Sequence, residues 1–549
     1  MPFQRAACEI LSVQRRHAFL IVLVCWAAIY LSGLGRTELK GEEGRRILPA
    51  LTMLQTHEWL VPYVGGQAFL RKPPLVNWLI AGAFKLTGTH HELAARLPSA
   101  LTVLALAATL VLLSGRAGWL KPEAALVAAL FFLTQVATIE KGRLAEIEAI
   151  YFGVSGLAIA CWLACWAQER SPWQIWVLPC FFLGLGLLAK GPAHLLFFYA
   201  IVVCVLWHAG EMRRLLHPAH FVGILVMLGI FGAWYWPYHQ TEAGLHATEV
   251  WRAQSLGRVT GKFDFAGWAM NIPRGLSNHL PWILFAPVLW RRDLAELGKR
   301  EGALFRGTRL AVVTTFFGVL LVPGMLPRYT LPLLAPFAIL LAYALADERL
   351  APRVAALRAW WRANLALGCL VGAAAFSAPA VFSWGRGLVL ANPARFPGMY
   401  GANFAPVLLS SACAAALAVF VVVGRNKLAR PALIATASGA LTAAAALLYA
   451  AVGIPFVTAT DHLRPTARRI DGAVPAGKEL VIYDPEYQPV IFYLEVPYRY
   501  APDMVEIPPA DAWVLTRAEK LKKLARDRPD LQVVAEFPRP LELVLLHGT

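Results

Sequence analysis

The stretch "GEEGRR" (41–46) sets two carboxylates, Glu42 and Glu43, against two guanidinium groups, Arg45 and Arg46. Two chemistries fit that spacing. As a solvated loop it holds i,i+3 ion pairs such as Glu42–Arg45, worth about 0–1 kcal/mol. As a site it holds a carboxylate ionised by neighbouring cations and ready to accept a proton. Other stretches carry comparable groups. In "FLRKPPLVNWL" (69–79), Arg71 and Lys72 precede two prolines and a short apolar run, residues 75–86. That run is too short to span a membrane and suits an interfacial helix with snorkelling cations, while Lys72 also suits a phosphate. "EKGRLAEIEAIYF" (140–152) gathers Lys141, Arg143, Glu146 and Glu148 at a helix start. The helix dipole accounts for one carboxylate there, not for all four charges. "LLAKGPAHLL" (187–196) carries Lys190 in a Gly-Pro link, and "LPRYTLPLLAP" (326–336) carries Arg328 and Tyr329 in a similar tight turn. "EVWRAQSLGRVTGK" (249–262) adds Arg252, Arg258 and Lys262 on an amphipathic stretch that suits an anionic lipid surface.

The elements that must position these groups are set by composition. Of 549 residues, 58% are hydrophobic and 15% charged, with a mean hydropathy of +0.54. Soluble domains carry about 25% charged residues, so the chain belongs to the membrane class. A ruler of about 20 apolar residues predicts about thirteen spans. They fall near 17–35, 97–114, 119–139, 147–167, 173–189, 192–208, 218–238, 279–290, 309–324, 328–346, 363–384, 405–424 and 432–453. Short basic loops such as "RRDLAELGKREGALFRGTR" (291–309) and "GRNKLARP" (424–431) alternate with the other set, as the positive-inside rule expects of cytoplasmic loops. The N-terminus is then cytoplasmic, and residues 36–96, 239–278 and 454–549 lie outside. The charged stretches above cluster at that outer side.

A net charge of +17 does not indicate nucleic acid, because most of it lies in those loops. Seven of the eight cysteines sit inside apolar runs; Cys161 and Cys165 share a helix face, where small apolar packing explains them. His279 in "NHLPW" (278–282) is expected to pack or hydrogen-bond at the interface. Residues 1–453 are expected to form the membrane domain and 454–549 a small α/β domain. Its strands are predicted at 478–484, 511–517, 531–537 and 541–547, and its helices at 487–495 and 516–527.

Taken in order, the paired acids, "RKPPLVNWL", the acid opening a later span, "LAKGP" and "LPRYTLPLLAP" resemble one family. The chain is similar to bacterial GT-C glycosyltransferases related to protein O-mannosyltransferases, in particular the lipid A aminoarabinose (ArnT-like) transferases. The resemblance covers residues 17–453 and implies an α-helical polytopic GT-C fold with a C-terminal α/β domain in the periplasm. It implies an enzyme of the bacterial inner membrane that passes a sugar from a polyprenyl-phosphate carrier to an envelope lipid, glycan or protein. Glu42, Glu43 and Glu148 are the implied catalytic acids. Arg45, Lys72, Arg143, Glu146, Lys190, Arg258, Lys262, Arg328 and Tyr329 are the candidates for binding substrate or phosphate. No metal is required on this reading. Glu42 and Glu148 stand where relatives have Asp, Arg46 where the aminoarabinose enzymes have Tyr, and Arg71 where they have an acid. Two rivals are a lipid-linked glycan ligase or polymerase and an exporter; an exporter would place ionisable groups deep in its spans.

Overall fold

The computed structural model describes residues 14–548 except 116–118, 261–264, 291–296, 347–358, 361, 365, 369, 372–430, 459–460, 486–487 and 539; side chains at 253–260, 346, 452, 455 and 456 fall outside the description. Helix α1 (Arg15–Trp26) runs on as a π-helical turn, Ala27–Leu31. The segment that follows forms α2 (Gly44–Thr56), a small hairpin of β1 (Tyr63–Val64) and β2 (Gln67–Ala68), and α3 (Leu75–Thr87). The membrane bundle continues through α4 (Glu92–Leu112), α5 (Pro122–Leu133), α6 (Val136–Gly142), α7 (Ile147–Ala167), α8 (Pro172–Ala189), α9 (Ala193–Ala209) and α10 (Pro218–His239). Then come α11 (Glu242–Thr260), α12 (Lys299–Leu320), α13 (Leu334–Ala346) and α14 (Pro431–Leu448).

Among the described residues, seven helices are long and apolar enough to cross a membrane, or eight if the bent pair α5–α6 is one span. The expected spans 363–384 and 405–424 lie almost wholly outside the described residues. Two expectations are corrected in form. The run 119–139 is not one straight span but bends by 65° between α5 and α6. The break is stabilised by polar side chains: Trp282 Nε1 donates to Thr134 Oγ1 at 2.8 Å, and Gln135 Nε2 donates to the Leu334 carbonyl at 3.0 Å. The ring Nδ1 of buried His279 lies 2.9 Å from Gln135 Oε1, so His279 is a packing and hydrogen-bonding residue. The backbone N–H groups freed at the break, which have no water to turn to, donate to other carbonyls: Val136 to Leu280 at 2.9 Å and Ala137 to Asn278 at 3.2 Å. Likewise, 279–290 is a 3₁₀ run over Trp282–Trp290, only about 18 Å long at about 2 Å per residue.

Helix α7 organises the bundle. It is apolar on every side, and all its residues from Ile147 to Ala167 are buried, as expected of a helix with no polar stripe to show to water. Trp162 stacks on Trp166 with centroids 6.0 Å apart and leans on Trp176 of α8 at 6.1 Å. Because α7 is enclosed by protein, a charge in its first turn faces other side chains rather than lipid.

The C-terminal part begins with α15 (Leu463–Ala473) and forms a five-stranded sheet in the order β4-β3-β5-β7-β6. Its strands are β3 (Leu480–Tyr483), β4 (Tyr498–Ala501), β5 (Trp513–Arg517), β6 (Leu531–Phe537) and β7 (Leu543–Gly548). β3 runs parallel to β4 and β5, whereas β7 pairs antiparallel with β5 and β6. Strand β4 was not expected, and the expected helix 487–495 is a 3₁₀ turn, Pro489–Tyr493. The period-2 alternation of β3 sends Leu480 and Ile482 to one face and Val481 and Tyr483 to the other. The first face shares a single apolar core with Ile47, Leu48 and Leu51 of α2 and Ile80 and Phe84 of α3. Polar contacts fix the docking. The buried Glu38 carboxylate accepts the N–H groups of His462, Leu463 and Arg464 at 3.0, 2.9 and 2.6 Å, capping α15. Tyr493 donates to Glu92 Oε1 at 2.9 Å and accepts from the Leu39 N–H at 2.9 Å.

Candidate functional site

The site is built around the turn that opens α2. Gly41 takes a left-handed φ of +54°, and a Cβ there would sit 3.3 Å from Glu146 Oε1, so both conformation and space favour glycine. The turn throws its two carboxylates in different directions. Glu43 goes inward and is fully buried. Arg96 grips it bidentately, Nε to Oε1 and Nη2 to Oε2, both at 2.8 Å. The Ala145 and Lys40 N–H groups add bonds of 2.8 and 2.7 Å. With both oxygens engaged twice, Glu43 anchors the turn to α4 and to the loop before α7, and it does not line the cavity described next.

Glu42 goes outward. It meets Arg45 Nη1 through both oxygens, at 3.1 and 3.0 Å, and lines a cavity of about 400 Å³. The same cavity is lined by Arg45, Arg46, Arg71, Lys72, Glu148, Lys190, Arg328 and Tyr329, with Phe69 and Ile147. Six cations thus converge with two carboxylates. Glu148, in the first turn of α7, holds Lys190 Nζ at 3.1 Å, and Arg328 Nε lies 4.0 Å away. Lys190 also stands over the rings of Tyr151 and Tyr329, at 5.1 and 5.6 Å from their centroids. Burial lowers the Lys190 ammonium from its ordinary value, and the Glu148 carboxylate opposes that shift.

Sequence reasoning missed Arg46 and Arg71 as cavity residues. Arg46 follows Glu42 by four positions, which places both on one face once the segment is helical. Its carbonyl accepts Asn77 Nδ2 of α3 at 2.8 Å, and its guanidinium lies 5.4 Å from the Phe69 ring centre. Arg46 Nε is buried and has no hydrogen-bond partner among the described residues. Burial pulls this guanidinium below its usual range, with Glu148 and Glu42 pulling the other way. A buried donor of this kind calls for an acceptor.

Arg143 and Glu146 do not reach the cavity. Arg143 donates to the carbonyls of Ile29 and Ser32, the latter at 2.6 Å, and so caps the end of the first helix. Glu146 pairs with Lys141 Nζ at 3.2 Å, and burial raises its carboxyl above the ordinary value. The Arg258 side chain and all of Lys262 lie outside the described residues. Among the described residues no three His, Cys, Asp or Glu side chains form a metal-binding group, and both cavity carboxylates face cations. The described residues therefore do not fit a divalent ion.

A second compartment, about 670 Å³, opens beside the first and shares Arg71, Lys72 and Lys190 with it. Its remaining wall is mainly apolar: Leu187, Leu195, Met227, Leu228, Phe231 and Trp251. Trp251 of α11 donates to the Leu70 carbonyl at 2.6 Å, tying that helix to the "RKPP" loop. Charged and apolar spaces thus meet at one line of cations.

These features define a polytopic helical membrane protein with its charged cavity at one end of the bundle. Residues 71–236 match the family described as dolichyl-phosphate-mannose-protein mannosyltransferase. The undecaprenyl phosphate-alpha-4-amino-4-deoxy-L-arabinose arabinosyl transferase 2 of Pseudomonas fluorescens is 28% identical over 346 residues, 61% of each chain. A transferase of the same description from Pseudomonas aeruginosa is 26% identical over 368 residues, 66% of each chain. The matched stretches thus span less than two thirds of those relatives' length. The crystal structure of ArnT from Cupriavidus metallidurans bound to undecaprenyl phosphate superposes with a TM-score of 0.70 at 19% identity, covering 96% of this chain and 97% of that one. In fold the chain is like that ArnT structure along nearly its whole length.

Proposed function

We propose that this protein transfers a sugar from a polyprenyl-phosphate carrier to an envelope acceptor at the periplasmic face of the bacterial inner membrane. The observation that carries the proposal is the convergence of six cations, including the unpartnered Nε of Arg46, on one cavity beside an apolar compartment. A phosphate fits the cations and a prenyl tail fits the apolar wall. The relatives' names and the carrier bound to ArnT support the same reading. The alternation of basic loops supports a cytoplasmic N-terminus and a periplasmic domain at 454–549.

The chemistry is a single displacement. An acceptor oxygen attacks the anomeric carbon while the bond from that carbon to the phosphate oxygen breaks. The electron pair leaves on polyprenyl phosphate, whose growing charge Arg46, Arg71, Lys72 and Lys190 neutralise. Glu42 takes the acceptor hydroxyl proton, or orients the acceptor if that is already an anionic phosphate. Glu148 keeps Lys190 and Arg328 in place. One displacement gives inversion at the anomeric carbon.

The test uses the full chain in lipid nanodiscs with a fluorescent polyprenyl phosphate, alongside mass spectrometry of envelope glycans from cells with and without the gene. Lys72→Ala is expected to weaken carrier binding at least tenfold. Glu42→Gln is expected to keep binding and lose transfer. Full transfer by folded Glu42→Gln protein would remove Glu42 as the base.

A further inference from the structure

We infer that the sugar this site accepts carries no free amine: a neutral or acidic sugar fits, and an amino sugar does not. The inference deepens the function proposed above and rests on it. A cationic sugar is best held by a carboxylate that receives its ammonium group, and among the described residues the site has none to spare. Of its two carboxylates, Glu42 meets Arg45 and is the group that faces the acceptor in the reaction proposed above, and Glu148 is held on Lys190 with Arg328 beside it. The adjoining compartment contributes Arg71, Lys72 and Lys190 and, among the described residues, no carboxylate at all.

Two other acids of the same loops, Glu43 and Glu146, are committed elsewhere. Glu43 faces Arg96 and two backbone N–H groups, and Glu146 faces Lys141. An ammonium group placed among the six cations is repelled at short range where screening is weak. Its proton would also be harder to keep there, since nearby like charge disfavours the charged form. Sugar hydroxyls meet no such obstacle, because guanidinium and ammonium groups donate to them. A sugar carboxylate gains ion pairs. The selectivity is therefore chiefly exclusion by like charge rather than a fitted pocket. It separates this chain from the relatives described above, whose names specify a 4-amino-4-deoxy sugar.

The experiment compares four polyprenyl-phosphate donors as competitors of the fluorescent carrier on the nanodisc protein. They carry a neutral hexose, a hexuronic acid, a 4-aminopentose, and the same aminopentose N-acetylated to remove its charge. The neutral and acidic donors are expected to compete at least tenfold better than the aminopentose donor, and acetylation is expected to recover most of that difference. Arg71→Glu is expected to narrow the gap by favouring the amine. An aminopentose donor that binds as well as the others, or that acetylation does not improve, overturns the inference and leaves the transferase reading standing. If no donor displaces the carrier, the transferase reading falls and this inference falls with it. The acetylation arm uses the unaltered protein, so it does not depend on the variant folding.

Discussion

Two groups of carboxylates and cations sit within a few residues of each other along this chain and have opposite surroundings. Around Glu43, one acid faces one guanidinium, and the remaining hydrogen-bonding capacity is filled by backbone groups, in a space closed to solvent. Around Glu42 and Glu148, cations outnumber acids six to two, and one buried donor on Arg46 has no partner among the described residues. A balanced, closed cluster specifies a fold, because removing any member strands a buried charge. An unbalanced cluster opening into a cavity has unmet electrostatic demand, which a ligand can fill. The difference teaches that charge surplus at a cavity, more than the presence of charge, marks a site.

Breaking the balanced cluster should do the most damage. Glu43→Ala leaves Arg96 buried without its anion and is expected to cost about 3–5 kcal/mol, read as thermal unfolding of detergent-solubilised protein. The double change Glu43→Leu with Arg96→Leu should be less harmful than either single change, since no charge is stranded. Next comes Glu42→Gln, expected to cut transfer by about 10²–10⁴ while moving stability by no more than about 1 kcal/mol. Arg46→Met is expected to weaken carrier binding about tenfold or more and leave stability unchanged or slightly raised, as a desolvated guanidinium is replaced by an apolar chain.

Arg143→Ala sharpens the contrast from the other side. It removes a cap on the first helix and should cost about 1 kcal/mol with transfer retained. The smallest effect concerns Asp461 beside the domain junction, where burial and the neighbouring Glu38 carboxylate push the carboxyl up to about 6. The folded chain then holds this proton more tightly than the unfolded chain. Asp461's contribution to stability is full below its ordinary 3.8 and is lost as pH rises toward about 6. Asp461→Asn should flatten that slope in a pH series of unfolding curves.

Much of the fold could be read from the residues. Apolar runs located α7, α8 and α10 to within a few positions because a span needs a fixed length of uninterrupted apolar chain. The short run after "RKPP" became α3, also as expected. The sequence was less informative where tertiary partners substitute for local rules. The α5–α6 bend is stabilised by Trp282, Leu334 and His279, all distant in the chain, so nothing near Gln135 announces it. Strand β4 is four residues long at a sheet edge and has too little pattern to stand out beside the proline before it.

By itself, then, the sequence determined a polytopic helical protein, a small α/β part after it, and a series of charged stretches at one side of the bundle. Hydrophobic length and strand alternation are local properties, and they survive translation into structure. Only the tertiary structure decided which charges work together. Glu42 and Glu43 are neighbours, but successive residues in helical geometry point about 100° apart, so one turns to the cavity and the other to Arg96. Arg46, Arg71, Glu148, Lys190 and Arg328 come from five different stretches, and the packing around α7 brings them to one place.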